Sequence, residues 1–335
     1  MNLRRRTLLA GALGFPLTAL AACAPQQEQT QPESAQPTDG PTKLTVGLTY
    51  IPNVQFSPFY LAVAQDVFAR SGLDVRLRHH GAQEDAFGAL LSGEEDVVFA
   101  SSDEAVVAAV HAPELRTFAT AYQTFPGVVI VPADAGVTTV ADLRGLRVGI
   151  PGHFGSTYYS ALAALHNAGL DEADVELTDI GFTQVAALSS GKVDAIVGFT
   201  NNETVQFRMS GFDVVELPVQ PADEVSLVGP GLVTVAGRLD DAVLFRVAEA
   251  MREAEAMISA DPELAITATQ EHVPTLADEA QREAAAAVLE ATSGLWLRDG
   301  EPSVAVDEAA FERMGGLLVD VGIIETAPAE TTIIL

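Results

Sequence analysis

The side chains able to do chemistry gather in a few short segments. The chain of 335 residues has five tyrosines, Tyr50, Tyr60, Tyr122, Tyr158 and Tyr159, and none follows Tyr159. Phe56, Phe125 and Phe154 share their neighbourhoods, whereas Tyr159, like Phe59, is set apart as a core residue, since one face of a helix must point inward. Tyrosine offers a flat apolar face with one polar tip and phenylalanine the face alone, a set suited to enclosing a rigid heteroaromatic molecule. Polar groups stand beside them: Asn53, then Ser102 and Asp103 in Ser101-Ser102-Asp103-Glu104, then Asn201, Asn202 and Glu203 in Thr200-Asn201-Asn202-Glu203. Such short side chains also cap helices. Glu203 is the carboxylate expected to read ligand N–H or O–H groups. His153 and Ser156 lie in Pro151-Gly152-His153-Phe154-Gly155-Ser156, a turn whose backbone N–H groups favour an anionic or carbonyl oxygen.

Covalent and metal chemistry find no comparable support. The sequence has no H-E-x-x-H, no G-x-S-x-G, no phosphate-binding P-loop and no G-x-G-x-x-G. His79 and His80 are neighbours on a strand, so they face opposite sides and do not share an ion. No catalytic residue, metal or cofactor is therefore expected.

The elements that must carry these residues repeat once. Leu44-Thr45-Val46-Gly47-Leu48 is an apolar strand; 58–70 is helical and stops at Ser71-Gly72; 74–78 alternates as a strand; 82–91 is helical; Asp96-Val97-Val98-Phe99-Ala100 is a buried strand. About 100 residues later the order returns, with strands at 146–150, 175–177 and 194–198 and helices at 157–167 and 184–188. Ala89-Leu90-Leu91-Ser92-Gly93-Glu94-Glu95-Asp96 matches Ala187-Leu188-Ser189-Ser190-Gly191-Lys192-Val193-Asp194 at five of eight positions. Two βαβαβ units predict an α/β fold of two lobes, each a parallel-type sheet flanked by helices, with a ligand cleft where the carboxyl ends of the strands face each other. The expected boundaries are 43–128 with 232–335 for lobe I and 129–231 for lobe II. Helices at 241–260, 263–271, 278–290 and 307–321 complete the chain. Two crossings between lobes provide a hinge.

The N-terminus speaks to location. Arg4, Arg5 and Arg6 precede an apolar run over 8–22 that is too short to span a bilayer comfortably, the layout of an export signal. Leu20-Ala21-Ala22-Cys23 resembles the bacterial lipoprotein box, in which the cysteine is lipidated, and Arg5-Arg6-Thr7-Leu8-Leu9 resembles a twin-arginine signal. Cys23 is the sole cysteine, so lipidation leaves no thiol chemistry downstream. The span 23–42 has no large apolar residue and is expected to be a flexible tether. Basic residues number 18 and acidic residues 46, a net charge of −28. So acidic a body repels nucleic acid and anionic headgroups, so nucleic acid is not an expected partner. The expected state is a monomer held at the outer face of the cell membrane.

Thr49-Tyr50-Ile51-Pro52-Asn53-Val54-Gln55-Phe56 resembles the opening signature of one group of ABC-importer binding proteins. That group is similar in fold to the yeast thiamine-pyrimidine synthase and includes receptors for sulfonates, nitrate, thiamine pyrimidine precursors and riboflavin. Gly181-Phe182-Thr183-Gln184-Val185-Ala186-Ala187-Leu188 and Asn201-Asn202-Glu203-Thr204-Val205-Gln206 are most similar to the pyrimidine-precursor and riboflavin receptors. The resemblance implies that the two α/β lobes form the type II periplasmic-binding-protein fold, with a solute stacked on rings between the lobes, Tyr50, Asn53 and Glu203 among its contacts, and an ABC permease and ATPase as partners. Pyrimidine receptors often carry tryptophan where Tyr50 stands, and the single tryptophan here is Trp296, which leaves flavin and pyrimidine both open with a lean to flavin. The synthase-type enzyme uses pyridoxal phosphate on a lysine and iron near a cysteine-rich segment, and this chain offers no cysteine beyond Cys23.

Overall fold

The computed structural model describes residues 40–81, 84–222 and 224–335. The segments expected to be an export signal and a tether, with Cys23, lie outside the described residues up to residue 39. The strands are β1 (Thr42–Leu48), β2 (Leu73–His79), β3 (Val97–Ala100), β4 (Leu115–Thr120), β5 (Gly127–Pro132), β6 (Arg147–Ile150), β7 (Glu176–Asp179), β8 (Ala195–Phe199), β9 (Val214–Pro218) and β10 (Gly231–Val235). The α-helices are α1 (Ser57–Ala64), α2 (Val67–Arg70), α3 (Gly88–Ser92), α4 (Ser102–Ala109), α5 (Gly155–Asn167), α6 (Gln184–Ser189), α7 (Glu203–Ser210), α8 (Asp241–Ala260), α9 (Pro262–Gln270), α10 (Glu279–Leu295) and α11 (Glu308–Asp320).

Two five-stranded sheets form, ordered β2-β1-β3-β10-β4 and β7-β6-β8-β5-β9. The sequence repeat is thus a structural repeat: β2-β1-β3 and β7-β6-β8 have the same order and are parallel throughout. Each sheet carries one reversed strand, β10 in the first and β5 in the second. These are the strands that begin after a crossing. A chain arriving from the other half enters at the cleft end and must run away from it, whereas every other strand runs toward it.

Strand position is written in local composition. The inner strands β3, Val-Val-Phe-Ala, and β8, Ala-Ile-Val-Gly-Phe, are apolar on both faces because helices cover both sides. The edge strand β7, Glu-Leu-Thr-Asp, keeps its ends exposed, a polar edge that discourages further pairing. The repeated glycine and aspartate have matching tasks. Gly93 and Gly191 end α3 and α6 in the left-handed region that favours glycine. Asp96 accepts the Thr45 N–H at 2.8 Å, and Asp194 accepts the Arg147 N–H at 3.0 Å, pinning the third strand of each half to the first.

Three expectations shift. The helix over 58–70 is broken into α1 and α2 at Asp66, whose φ is 56°. The helix over 82–91 is α3 alone, and residues 82 and 83 lie outside the described set. α11 does not keep to the first sheet: Phe311, Met314 and Leu318 share a core cluster with Val129, Val148 and Ile150 of the second. The crossings, between β4 and β5 and between β9 and β10, lie side by side, with the N–H groups of Ala121 and Tyr122 both donating to the Pro230 carbonyl.

Candidate functional site

A cavity of about 1000 Å³ opens where the two sets of strand ends meet. Ten of the fifteen residues singled out from sequence line it: Tyr50, Asn53, Phe56, Tyr122, Phe125, Phe154, Ser156, Asn201, Asn202 and Glu203.

The first half supplies the segment after β1. Tyr50 stands at φ 123°, a conformation that a tyrosine adopts only under constraint. The constraint is visible: its carbonyl lies 3.1 Å from Nδ1 of His79 at the end of β2. Asn53 spends its carbonyl oxygen on the Gln55 N–H (2.8 Å), capping a short 3-10 turn that presents Phe56. Phe56 meets Phe99, the penultimate residue of β3, edge to face at 5.9 Å, and Tyr122 tilts against Phe99 at 6.1 Å. The Tyr122 hydroxyl is held neutral by burial.

The second half supplies the opposing wall. Its turn after β6 carries Phe154, which is mostly exposed. Gly152 makes room for it: a Cβ there would lie 2.4 Å from the Phe154 ring, and Gly127 makes the same room for Phe125. The Tyr50 ring lies 6.3 Å from that of Phe182, on the turn after β7, so an aromatic pair from the two halves brackets the mouth. Asn201 donates to Thr292 Oγ1 of α10 at 3.0 Å. Glu203 accepts the Phe199 N–H (2.8 Å) and the Asn202 side-chain N–H (2.9 Å). Burial raises the Glu203 carboxyl above its ordinary value, while these bonds oppose the rise.

Five singled-out residues stand away from the lining. Tyr60 is buried under the site, its hydroxyl 2.9 Å from His79 Nε2 and its ring stacked on His272 at 4.0 Å. It faces inward because α1 must cover the core with one side. Ser102 is buried and donates to the Gly229 carbonyl at 2.6 Å, fastening α4 to a crossing. Asp103 accepts from Ser156 at 2.7 Å. His153 turns outward to Asp179 (2.8 Å), and Tyr158 donates to Glu172 beside it.

The anion expected at the start of α5 comes from the protein itself. Asp103 takes the Ser156 hydroxyl, and a Glu104 oxygen lies 3.3 Å from where a Gly155 side chain would begin. Burial raises Asp103 to about 6 against the pull of its hydrogen bonds, and burial, then the neighbouring Asp103 charge, raises Glu104 to about 7. Burial first, and then these two carboxylates, push the Tyr159 hydroxyl to about 12.

Several lining residues were not singled out from sequence: Phe87, Phe99, Glu104, Tyr159, Phe182, Gln184 and Phe199 among them. The repeat held the missing signal. The turns after β2 and β7 are also strand ends, and both line the cavity, with 84–87 aligned on 182–185. Another departure within the repeat is instructive. The Ile180 N–H bonds the Ile150 carbonyl as the His80 N–H bonds that of Leu48. Where the second half packs Ile180 and Val193 against Gly149, the first half has His80, Glu95 and Gly47. His80 Nε2 lies 2.9 Å from Glu95, which also accepts from Arg78 at 2.7 Å, and a Cβ on Gly47 would stand 2.2 Å from the carboxylate.

The lining thus holds ten phenylalanine and tyrosine rings and four carboxylates, Glu84, Asp85, Glu104 and Glu203, with neither lysine nor arginine among the described residues. Likewise no group of three or more metal-ligating side chains occurs among the described residues.

Residues 53–265 match the family model described as NMT1/THI5 like. The chain belongs to the NMT1/THI5-like family. Within reach of this family are the riboflavin-binding protein RibY of Chloroflexus aurantiacus, 35% identical over 236 residues that span 69% of this chain and 67% of the relative, and the formylaminopyrimidine-binding protein of Halalkalibacterium halodurans, 30% identical over 197 residues that span 55% and 57%. The periplasmic aliphatic sulphonate binding protein SsuA of Escherichia coli superposes with a TM-score of 0.68 over 88% of this chain and 94% of its own, at 18% identity. The two-lobed solute-binding fold is common to this NMT1/THI5-like chain and SsuA.

Proposed function

We propose that this protein is the extracytoplasmic binding component of an ABC importer and captures a neutral or cationic heteroaromatic solute, riboflavin in the first place. One observation carries the reading: a large cavity walled by aromatic rings and carboxylates, without a lysine or arginine among the described residues. Rings stack on a planar heterocycle, while a lining that offers carboxylates and, among the described residues, neither lysine nor arginine gives nitrate or a sulfonate no cationic partner. At about 1000 Å³ the cavity stands at the upper end of small-molecule sites, room for a tricyclic ring with a polyol tail. The relatives named for riboflavin and formylaminopyrimidine point the same way.

A thiamine pyrimidine precursor is the second reading. Glu104 and Glu203 are acceptors suited to an exocyclic amine, which keeps it in view. Enzymatic turnover of the synthase type is disfavoured, because no lysine or cysteine among the described residues lines the cavity to hold a cofactor covalently.

Lobe II, 129–231, closes on lobe I, 43–128 with 232–335, about the paired crossings, and α11 of the returning segment bears on the core of lobe II. The protein acts as a monomer tethered through lipidated Cys23 and delivers its solute to a permease and ATPase. Purified protein titrated with riboflavin, a thiamine pyrimidine precursor, nitrate and an alkanesulfonate tests the ligand class. Riboflavin at a hundredfold excess over Kd is expected to stabilise by about 2.7 kcal/mol. A thermal shift with nitrate or sulfonate alone refutes the reading. Loss of acyl labelling in Cys23→Ala tests the anchor.

A further inference from the structure

One polar side chain in the cavity wall is buried and uncommitted. Gln184, the first residue of α6, is 7% exposed and lines the cavity. Its amide forms no hydrogen bond among the described residues, and its atoms are not among those sealed from solvent. What exposure it keeps belongs to a residue of the cavity wall.

Its neighbours differ. Gln206 Nε2 donates to Asn202 Oδ1 (3.0 Å), Asn202 Nδ2 donates to Glu203 Oε1 (2.9 Å), and Glu203 Oε2 accepts the Phe199 N–H (2.8 Å). That relay fixes the direction of each group and leaves Gln184 outside it. The repeat shows that folding does not require an amide here. Continuing the alignment of Ala89 with Ala187 places Ala86 opposite Gln184, and Ala86 lines the cavity too. Water satisfies an amide that opens to the cavity, and a ligand that displaces this water must replace its hydrogen bonds, so the amide favours a ligand carrying the complementary edge.

A primary amide sets one donor beside one acceptor. Its complement is a ring edge with an N–H next to a carbonyl, the lactam or imide edge. Phe182, two residues earlier on the same turn, faces Tyr50 and supplies the plane on which such a ring would lie.

We propose that Gln184 determines specificity by reading the lactam or imide edge of the ligand, Nε2 donating to the ring carbonyl and Oε1 accepting from the adjacent N–H. This rests on the heteroaromatic reading of the cavity. The test compares riboflavin with N3-methylriboflavin, whose imide N–H is blocked, by fluorescence titration against the wild type, Gln184→Ala and Gln184→Met. Alanine restores the residue of the first repeat, and methionine keeps the length, so at least one variant is expected to retain the ligand-free thermal midpoint. The wild type should bind the methylated flavin roughly tenfold to a hundredfold more weakly. The variants should lose riboflavin affinity to a similar extent and no longer distinguish the two flavins. Unchanged riboflavin affinity in both variants, or equal binding of the two flavins by the wild type, overturns the role of Gln184 alone. Absence of any flavin binding by the wild type overturns the heteroaromatic reading and this inference with it, a separate result.

Discussion

The Ser156 hydroxyl donates to the Asp103 carboxylate at 2.7 Å and so joins the first turn of α5 to the first turn of α4. One helix follows the second sheet and the other the first, which makes this bond a strut between the halves. Asp103 and the adjacent Glu104 are both raised, to about 6 and about 7, mainly because burial disfavours their charge.

That burial gives these two carboxyls a stabilising contribution that is greatest in acid. Between the ordinary carboxylate range near pH 4 and about pH 7, the folded state keeps protons that the unfolded chain has released. The contribution of these carboxyls therefore falls as pH rises through this window. Asp103→Asn keeps an acceptor for Ser156 and removes the titration. Because His79 and His272, lowered by burial, act the other way, the test is the difference: thermal midpoints measured from pH 4 to 7.5 should fall further, or rise less, for the wild type than for the variant. The difference in stability change is on the order of 2 kcal/mol. Parallel slopes would contradict the assignment.

Tyr50 and Phe182 should contribute affinity rather than stability. Both are exposed, and their rings approach to 6.3 Å across the cavity mouth. Tyr50→Ala or Phe182→Ala should weaken riboflavin binding by about 1–2 kcal/mol while the ligand-free midpoint stays within a degree or two. Calorimetric titration with parallel melts separates the two effects.

The His80–Glu95 pair should respond to substitution as a unit. Glu95→Val leaves His80 and Arg78 without their buried carboxylate and should cost about 2–4 kcal/mol. The double change His80→Ile with Glu95→Val installs the residues of the second half and should recover more than half of that loss. Urea midpoints of the single and double variants decide it. A double variant no more stable than Glu95→Val would show that the two halves are not interchangeable here.

Gly229 should be intolerant of any side chain. A Cβ there would lie 2.2 Å from the Tyr122 carbonyl, and its own carbonyl accepts from Ser102. Gly229→Ala is expected to push the two crossings apart, lowering the melting temperature by several degrees and weakening ligand binding together. Normal melting with normal affinity would remove the crossings from the proposed closure.

Much of the fold was legible because its signals are local. Apolar runs bounded by glycine give β3 and β8, and the Ser-Gly-x-x-Asp match gives the repeat, since a left-handed glycine and a strand-pinning aspartate answer to the nearest turn. The helix over 241–260 appeared at its full extent. The break at Asp66 was hidden, because aspartate enters the left-handed region without the advertisement a glycine makes.

The site was legible at its strand ends and opaque at its second partners. That Tyr50, Phe56, Phe154 and Glu203 would meet follows from two repeats whose strands end toward each other. That Tyr60 would serve His79, that His153 would turn to Asp179, and that Asp103 would answer Ser156 depends on which side of each helix faces the core and on how one half docks on the other.

By itself, then, the sequence determined the α/β class, the internal duplication and the strand ends that carry the rings, because periodicity and turn chemistry act over a few residues. Only the tertiary structure decided that carboxylates occupy the start of α5, that Glu95 and His80 replace an apolar plug, and that Gln184 is left without a partner. Those outcomes are set by contacts between residues far apart in the chain, and a lone carboxylate or amide carries no mark of the neighbour it will meet.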